Sequence, residues 1–595
     1  MAGALFYAAP IPARGQAAPP PSSTVPIPVK PKADSTPDSL KVKRDSIKAP
    51  IGRFADPATY EIGPQYEWNR EQLFATGALT VTDLLDRTPG TTTYRSGWLA
   101  TPQTATYNAD FRRVRIFYDG VEMDALDNTT GGLLDLSTVQ LWTLEHLTIE
   151  RTASELRLYL RSWRIDNTDP YTRVDVATGN EDTNLYRGFY GKRFDNGGVL
   201  QLAGQQFGVT SPRFAGAGDN LSLLARVGIA RKSWSVDGFV NRTHATRDIE
   251  RTIASSGRPP ILSLDATHTN AYVRAAVGRV GSGPWIQATA ASLGFKGTTG
   301  PDRSVGATSQ PDTLPRKKTE SQYNVSGGFT VGPARVEVQD RLRALEGTSY
   351  NSASGRLDLV SSFAVLSGFA EHDGFRQITN LDVGIRLQPL RFIAVSGSIG
   401  RVTPSSQGIG SFAPGTSVSG EVALKIFGPW VSVGILSSDT THGLAPVVYD
   451  TLLQPTISGR RRAGTAAIRG PLGRGFGIDA WITRWDSTSE YQPQYQSRSE
   501  INFANDFSKR FPRGDLDIRA AVVYEYRGHN LFPLDAGDLR TMAAKTLSAQ
   551  LEIRILRAVV SYQQRNILAY QYQVIPGFEM PRVLAIYGVR WEFWN

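Results

Sequence analysis

The sequence contains no cysteine among its 595 residues. Without thiols the chain forms no disulfide, uses no thiolate nucleophile and binds no metal through sulfur. It also lacks any run of about 18 consecutive apolar residues, the length that a membrane-spanning helix requires. The chain is too long for one ordinary hydrophobic core, so it forms either several domains or one very large closed architecture.

Residues that carry catalysis or bind metals are scarce as well. The histidines are isolated and show no metal-ligand spacing; they are His146, His244, His268, His372, His442 and His529. No Gly-x-Ser-x-Gly elbow, phosphate-binding loop or dinucleotide fingerprint is present. The formal charge of +10 is spread along the chain and does not form the clustered patch of a nucleic-acid-binding protein. We therefore predict a protein that is not an enzyme, with no catalytic, cofactor-binding or metal-binding residues and no nucleic-acid partner.

Alternation of apolar and polar residues dominates the chain from Tyr171 onward. Thr379 to Leu387, Phe392 to Ile399 and Gly475 to Thr483 are examples, and turn residues such as Gly332-Pro333 separate the segments. Most segments have about 9 to 14 residues, the length of a tilted membrane strand. Counting them by the alternation rule gives roughly 20 to 22 strands. The pattern predicts an all-β transmembrane barrel of about 22 antiparallel strands.

The last predicted strand carries an apolar stripe on one face. The stripe consists of Tyr587, Val589, Trp591 and Phe593. Arg590 and Glu592 fall on the opposite face. The stripe resembles the C-terminal assembly signal of bacterial outer-membrane barrels, which implies the barrel-assembly machinery as a partner. An ordinary amphipathic edge strand is the alternative, because patterns of period two are degenerate.

Aromatic and basic residues suggest contacts with lipid. Trp481 with Trp485, and Tyr524 with Tyr526, are spaced by an even number of residues and so share a strand face, which favours girdles at the membrane interface. The run from Arg460 to Arg462 could bind phosphate groups of lipopolysaccharide or an anionic cargo, or form a charged strand end. The expected lipid partners are outer-membrane lipid and lipopolysaccharide.

The chain before the barrel divides into three predicted parts. Residues 1–17 resemble the apolar half of a secretory signal peptide, although the basic N-terminal region is missing. Residues 18–50 are rich in proline and poor in apolar residues, which predicts a disordered tether. Residues 51–168 contain a helical pattern from Val81 to Arg87, a Pro89-Gly90 stop and strand patterns at Arg113 to Tyr118 and Leu144 to Arg151. The barrel then occupies residues 169–595.

This mixed α+β segment resembles the plug domain of TonB-dependent outer-membrane receptors. The matching positions are Pro89, Gly90, Arg95, Gly97, Arg115, Asp119, Gly120 and Arg151. A barrel of about 22 strands also encloses a lumen that needs a plug. The resemblance implies a cell outer-membrane location and uptake of a scarce small-molecule nutrient. It also implies a TonB-like energising protein that acts from the periplasm through residues 18–50.

The sequence departs from the family pattern at several positions. Thr148 replaces an acid, Thr152-Ala153 replaces Gly-Pro, and Leu160 replaces glycine. No clear TonB box stands out, although residues 40–42 and 24–26 are candidates. These departures motivate an alternative, a barrel that has lost energy coupling and has a structural, adhesive or passive-pore role. A soluble secreted β-rich enzyme is a third hypothesis.

Two segments between predicted strands are candidates for contact with an external ligand. They are Arg251 to Ala266 and Gly300 to Lys318. We expect both to be extracellular loops of the barrel. Their composition leaves the nutrient class open.

Overall fold

The computed structural model describes most of the chain after residue 56. The described residues are 57–58, 60–62, 66–127, 130, 132–165, 168–210, 217–253, 256, 260–278, 283–300, 316–405, 412–443, 445–447, 452–507, 510–511, 516–535 and 537–594. The predicted signal peptide, the predicted tether and both candidate TonB boxes lie outside these residues.

Twenty-two antiparallel strands close into a barrel, which confirms the predicted fold. In chain order they are β8 (Tyr171–Gly179), β9 (Thr183–Arg193), β10 (Gly198–Thr210), β11 (Ala217–Ala230), β12 (Trp234–Arg247), β13 (Ser263–Gly278), β14 (Trp285–Gly300), β15 (Arg316–Val331), β16 (Ala334–Leu345), β17 (Thr348–Val360), β18 (Ala364–Asp373), β19 (Ile378–Leu390), β20 (Ile393–Pro404), β21 (Gly415–Lys425), β22 (Trp430–Ser438), β25 (Arg461–Gly473), β26 (Phe476–Trp485), β27 (Tyr495–Asn505), β28 (Leu516–Arg527), β31 (Ala544–Ile555), β32 (Ala558–Arg565) and β33 (Leu584–Trp594). The barrel closes where β33 pairs with β8, from Trp594 opposite Tyr171 to Ile586 opposite Gly179.

Connections between barrel strands differ at the two ends. At one end, which we call the short-turn end, strands are joined by segments such as 332–333 and 391–392, and β8 begins and β33 ends there. At the other end, the long-loop end, the connections include 439–460, 528–543 and 566–583. The first two contain the small hairpins β23 (Thr441–Gly443) with β24 (Thr456–Ser458), and β29 (Leu531–Leu534) with β30 (Gly537–Arg540).

Both predicted ligand-contact segments are at the long-loop end, but their bounds need correction. The last part of 251–266 belongs to β13, which begins at Ser263, and the last part of 300–318 belongs to β15, which begins at Arg316. In both segments the strand includes residues that the apolar pattern alone did not mark as strand. Residues 301–315 lie outside the described chain.

The outer face of the barrel is apolar. Val433 and Ile435 are 62% and 64% exposed on β22, and Val338 is 58% exposed on β16. Such a surface is costly in water and matches the apolar band of a membrane barrel. Among the aromatic pairs, Tyr524 is 39% exposed and faces outward.

The girdle prediction for Trp481 and Trp485 is wrong. Their side chains are only 6% and 1% exposed, so they point into the barrel. The two tryptophans do share one strand face, as the even spacing indicated. Between them, Ile482 is 47% exposed and occupies a lipid-facing position instead. Spacing establishes a shared face, but it does not show which face is outside.

The plug is a small α+β domain inside the barrel. Its five-stranded sheet has the order β1 (Glu67–Asn69), β6 (Leu144–Arg151), β7 (Leu156–Ser162), β4 (Val114–Tyr118) and β5 (Val121–Glu122). Only β4 and β7 are parallel neighbours within this sheet. A separate hairpin joins β2 (Thr91–Arg95) and β3 (Gln103–Tyr107). Single 3-10 turns occupy Phe111–Arg113 and Leu136–Thr138.

Two short helices precede the plug hairpin. Helix α1 (Arg70–Ala75) begins with a capping box between Asn69 and Gln72, and α2 (Val81–Leu85) is the helix predicted from Val81 to Arg87. Helix α2 ends two residues earlier than predicted, because the amides of Arg87 and Thr88 donate three residues back, to the carbonyls of Leu84 and Leu85, and close a tighter turn before Pro89. In the described part of the chain no helix is both long and apolar enough to cross a membrane.

The interior of the plug is a dense apolar cluster. Leu84, Leu147, Leu156 and Leu158 are completely buried. These leucines come from α2, β6 and β7, so they fix the helix against the sheet. The same cluster continues into barrel side chains such as Phe189, Phe239 and Leu293, so the plug interior and this part of the wall share one apolar core.

Candidate functional site

The predicted residue Arg115 lies at the centre of a buried ionic cluster between plug and barrel. It donates from Nε and Nη2 to the two carboxylate oxygens of Glu122, at 2.6 and 2.8 Å. Across the seam its guanidinium contacts Glu371 of β18 in a bidentate pair. Asp373 lies 3.5 Å away on the same strand. Arg115 thus joins a plug carboxylate to two barrel carboxylates.

Glu122 completes the cluster from the plug side. Besides Arg115 it accepts hydrogen bonds from Arg341 and Arg343, which project inward from β16. Burial alone would raise the pKa of the Glu122 carboxyl, but Arg115, Arg343 and Arg341 hold that pKa well below its usual range. The group is therefore a carboxylate that neutralises arginines from both sides of the seam.

The predicted Asp119-Gly120 turn forms the two-residue connection between β4 and β5. Both residues have positive φ, 50° and 83°, as a type I′ hairpin turn requires. The Asp119 carboxylate accepts from Tyr272 at 2.8 Å and from Arg226 at 3.1 Å, both on the barrel wall. Burial alone would raise the pKa of Asp119, but the neighbouring arginines, Arg226 first, lower it below its usual range. The turn is therefore a charged contact with β11 and β13.

The predicted Arg151 contacts the part of the chain that precedes the plug sheet. Its Nε donates to Glu61 at 2.5 Å, and its backbone carbonyl accepts from the Tyr60 hydroxyl at 2.9 Å. The Tyr60 ring lies against Gly384 of β19, where a Cβ would collide with it. A backbone amide of the same segment, at Ala58, reaches Asp358 near the short-turn end of β17. The described residues 57–58 and 60–62 thus lie against the barrel wall between the short-turn end of β17 and Arg151.

The remaining predicted positions surround α2 and the plug hairpin. Pro89 and Gly90 form the turn before β2, and Gly90 has φ 84°. Arg95 donates to Asp83 at 2.9 Å and to Asp86 at 2.6 Å. Gly97 donates its amide to Thr101 at 3.1 Å. These residues shape the hairpin that points toward the long loops.

The same two aspartates bind arginines of the barrel. Asp83 pairs with Arg565 at 3.0 Å, and Asp86 pairs with Arg527 at 3.4 Å. Further pairs cross the seam elsewhere: Glu150 with Arg356 at 2.7 Å, Glu155 with Arg376 at 2.6 Å, Arg157 with Asp382 at 2.9 Å and Arg87 with Glu500 at 2.6 Å. The ion pairs surround much of the plug.

Aromatic contacts hold another part of the plug. Tyr118 packs on Phe239 of β12 with ring centroids 5.7 Å apart, and Phe239 stacks on Tyr272 at 4.9 Å. Trp163, just after β7, stacks on Phe189 of β9 at 4.1 Å. The plug therefore rests on aromatic side chains along β9, β12 and β13, whereas ion pairs link it to β16–β19 and, on other strands, to β11, β27, β28 and β32.

In the described part of the chain, cavities remain between plug and wall. One of about 460 Å³ lies beside Arg115 and Glu122 and is bounded at the long-loop end by Phe375 and Phe412. Another of about 170 Å³ lies between α2 and β26–β32, beside Arg95. Within the described chain, no group of three or more His, Asp or Glu side chains is arranged to hold a metal ion.

The barrel partners of the plug were not singled out from the sequence. A signal was present, because β16 alternates outward apolar residues such as Val336 and Val338 with the inward Arg341 and Arg343. Buried charges at alternate positions of a membrane strand indicate lumen contacts. What the sequence does not reveal is which plug carboxylate each arginine meets, since the residues are more than 200 positions apart.

The predicted C-terminal stripe faces outward. Tyr587, Val589 and Trp591 are 57%, 45% and 48% exposed, and Trp591 stacks on Phe593. Leu584 and Ile586 of the same strand point inward and are buried. The stripe is therefore part of the apolar outer surface.

Comparison of the sequence with protein-family models and with curated proteins finds no match. Solved structures do match. The FrpB iron transporter from Neisseria meningitidis has a TM-score of 0.67 at 11% identity, covering 91% of this chain and 100% of its own. The siderophore receptor PirA from Acinetobacter baumannii has a TM-score of 0.66 at 10% identity, covering 89% and 98%.

The ferric yersiniabactin uptake receptor FyuA from Yersinia pestis is similar to the same extent, with a TM-score of 0.65, 11% identity and coverage of 90% and 99%. These similarities extend over the plug and the barrel together. Identity near 10% agrees with the departures seen in the sequence. The chain therefore has the fold of the TonB-dependent outer-membrane receptors, a 22-strand barrel with a plug domain in its lumen.

Proposed function

We propose that the protein is an outer-membrane, receptor-like transporter that takes up a scarce nutrient through its plugged barrel. The observation that carries this proposal is the charged seam between plug and wall. When a buried ion pair separates, water can solvate both charges, whereas separated apolar surfaces stay exposed at a continuing cost. A plug that fills the lumen and is held by ion pairs is suited to being displaced and reseated.

The long-loop end faces the outside and the short-turn end faces the periplasm in this proposal. The nutrient first reaches the cavity of about 460 Å³ beside Phe375 and Phe412. In this proposal residues 18–50 lie in the periplasm, and part of them pairs as an added strand with a sheet edge of a TonB-like protein. Tension on that tether reaches the plug at Tyr60 and the pair between Glu61 and Arg151.

Force applied at Tyr60 acts first on the side of the plug that ion pairs join to β17–β19. Tyr60 lies against β19, and the pairs of Glu150, Glu155 and Arg157 join the plug to β17, β19 and the turn between β18 and β19. The aromatic contacts on β9, β12 and β13 are on other strands and would keep the plug attached while the ionic side opens. FrpB is an iron transporter, PirA a siderophore receptor and FyuA a ferric yersiniabactin uptake receptor, so iron chelates are the first nutrients to test.

Other partners follow from the same proposal. The barrel-assembly machinery would recognise the stripe that ends in Trp591 and Phe593. The second candidate function is an uncoupled barrel with a structural, adhesive or passive-pore role. The residues at Thr148, Thr152-Ala153 and Leu160 favour it, because they depart from the family pattern within β6, in the β6–β7 turn and within β7.

Deletion of residues 18–50 tests the two candidates against each other. Cells that depend on this protein for growth on a limiting iron chelate are expected to stop growing when the tether is removed. Outer-membrane fractionation and heat-modifiable gel migration serve as the control that the shortened protein still assembles. Unchanged growth and uptake would contradict energy-coupled transport and favour the uncoupled barrel.

A further inference from the structure

The outer face of the barrel carries a patch of basic side chains at the long-loop end of β12–β15. We call it the basic patch; it consists of Arg242, His244, Lys296 and Lys317. The strand register places His244 opposite Thr267, Thr267 opposite Lys296, and Lys296 opposite Lys317, so three of the four lie in one row across the strands. Arg242 is two residues from His244 on the same face.

Lys296 and Lys317 are directly opposite each other, which is unfavourable for two like charges without a counter-ion. Both are exposed. Within the described ranges, neither lysine nor Arg242 has an acidic partner. The nearby carboxylate of Asp265 lies 3.8 Å from His244 and is itself 66% exposed. The patch therefore has a positive excess that an external anion can neutralise.

The height of the patch on the barrel matches the headgroup layer of a bilayer. Below it the same strands expose apolar residues, including Val240, Val273 and Ile286. From Ile286 to Lys296 the strand covers about 33 Å at about 3.3 Å per residue, or about 23 Å across a membrane when tilted by about 45°. The apolar band of a membrane barrel is about 25 Å tall, so Lys296 lies at its upper edge.

Hydroxyl groups surround the basic side chains. Thr267 and Thr269 lie between β12 and β14 on the outer face, and Thr319 follows Lys317 on β15. Ammonium, guanidinium and hydroxyl groups on one open surface are donors that suit phosphate oxygens. A ligand here has to approach sideways from the membrane, because the patch faces away from the lumen.

We propose that the basic patch binds the phosphorylated headgroup of an outer-leaflet glycolipid, lipopolysaccharide. The inference rests on the proposed outer-membrane location and adds to it a specific lipid site. A lipid A phosphate placed between Lys296 and Lys317 would neutralise both ammonium groups, with Arg242 donating from below. The site is distinct from the run Arg460 to Arg462, in which Arg461 is buried and points inward.

The test compares three proteins purified in the same detergent: wild type, the double variant K296Q/K317Q and K545Q. Lys545 is a matched control, because it is also an exposed outward lysine at the long-loop end of a strand, β31, and faces Tyr526 instead of a second lysine. Native mass spectrometry measures binding of bis-phosphorylated lipid A, dephosphorylated lipid A, phosphatidylglycerol and inorganic phosphate. Heat-modifiable migration confirms that each variant is a folded barrel.

Wild type and K545Q are expected to bind bis-phosphorylated lipid A, and the double variant about tenfold or more weakly, since hydrogen bonds to charged groups are lost. Equal binding by the double variant would overturn the proposal. So would equal binding of dephosphorylated lipid A, of phosphatidylglycerol, or of inorganic phosphate alone. If the folded protein instead fractionates away from the outer membrane, the proposed function fails separately, whatever the lipid result.

Discussion

Replacing Glu122 by glutamine removes the carboxylate that three arginines share. Arg115 of the plug and Arg341 and Arg343 of β16 all donate to it, and the side chain is 4% exposed. Removing one partner of a buried ion pair costs about 3–5 kcal/mol. Glu371 and Asp373 remain beside Arg115, so we expect a loss near the lower limit, about 3 kcal/mol.

The absence of cysteine makes a single engineered thiol a clean reporter of plug unfolding. The variant A153C places it in the buried β6–β7 turn, at a residue 3% exposed. Thiol labelling is followed as urea is raised. With a slope of about 1–3 kcal/mol per molar urea, E122Q is expected to lower the labelling midpoint by about 1–3 M.

The variant D340N is the matched control, because Asp340 lies on the same strand as Arg341 and Arg343 but its side chain is exposed. It should leave the midpoint unchanged. An equal midpoint for E122Q and D340N would refute the view that ion pairs hold the plug. Because the pKa of Glu122 is held below its usual range, the E122Q effect should be constant above about pH 5 and should diminish only in acid.

Two further predictions concern the ends of the plug. Burial raises the pKa of Glu250 to about 7, so the packing of the plug hairpin over this carboxyl is most favourable in acid and becomes less favourable as the pH rises through about 7, because the buried carboxyl then has to ionise. Thiol labelling of the variant A100C should therefore increase between about pH 6 and about pH 8, and this increase should be larger than in the double variant A100C/E250Q. Equal increases in the two proteins would contradict this. The substitution G384A places a Cβ 2.5 Å from the Tyr60 ring and should increase proteolysis before residue 66. G368A, whose Cβ has no neighbour closer than 4.0 Å, should not; equal cleavage of the two variants would count against the seating of Tyr60 on β19.

Much of the fold follows from the sequence, because successive residues of each strand face lipid and lumen in turn and therefore alternate between apolar and polar types. The strand pattern led to 22 strands, and the Asp119-Gly120 turn and β6 were predicted within a residue. The inward direction of the Trp481 side chain was not predicted, because alternation alone does not distinguish the lipid face of a strand from its lumen face. The wall contacts of Arg115 and Glu122 depend on pairing between distant strands, which no local pattern encodes.

The basic patch was missed for a related reason. Lys296 and Lys317 are isolated lysines in the sequence and become neighbours only through the register of β14 and β15. The run Arg460 to Arg462 stands out in the sequence as a candidate phosphate-binding site because its charges are consecutive. Consecutive residues of a strand, however, point to opposite faces. Charge clusters on sheets are therefore found across strands and not along them.

The central claim is that the barrel is a membrane pore closed by its own plug. Planar-bilayer conductance of the full-length protein, compared with a variant that lacks residues 60–165, tests it most directly. The full-length protein is expected to insert without a stable open current, and the variant to conduct ions through an open lumen. Equal conductance of the two proteins, whether both open or both closed despite folded barrels, would contradict the account.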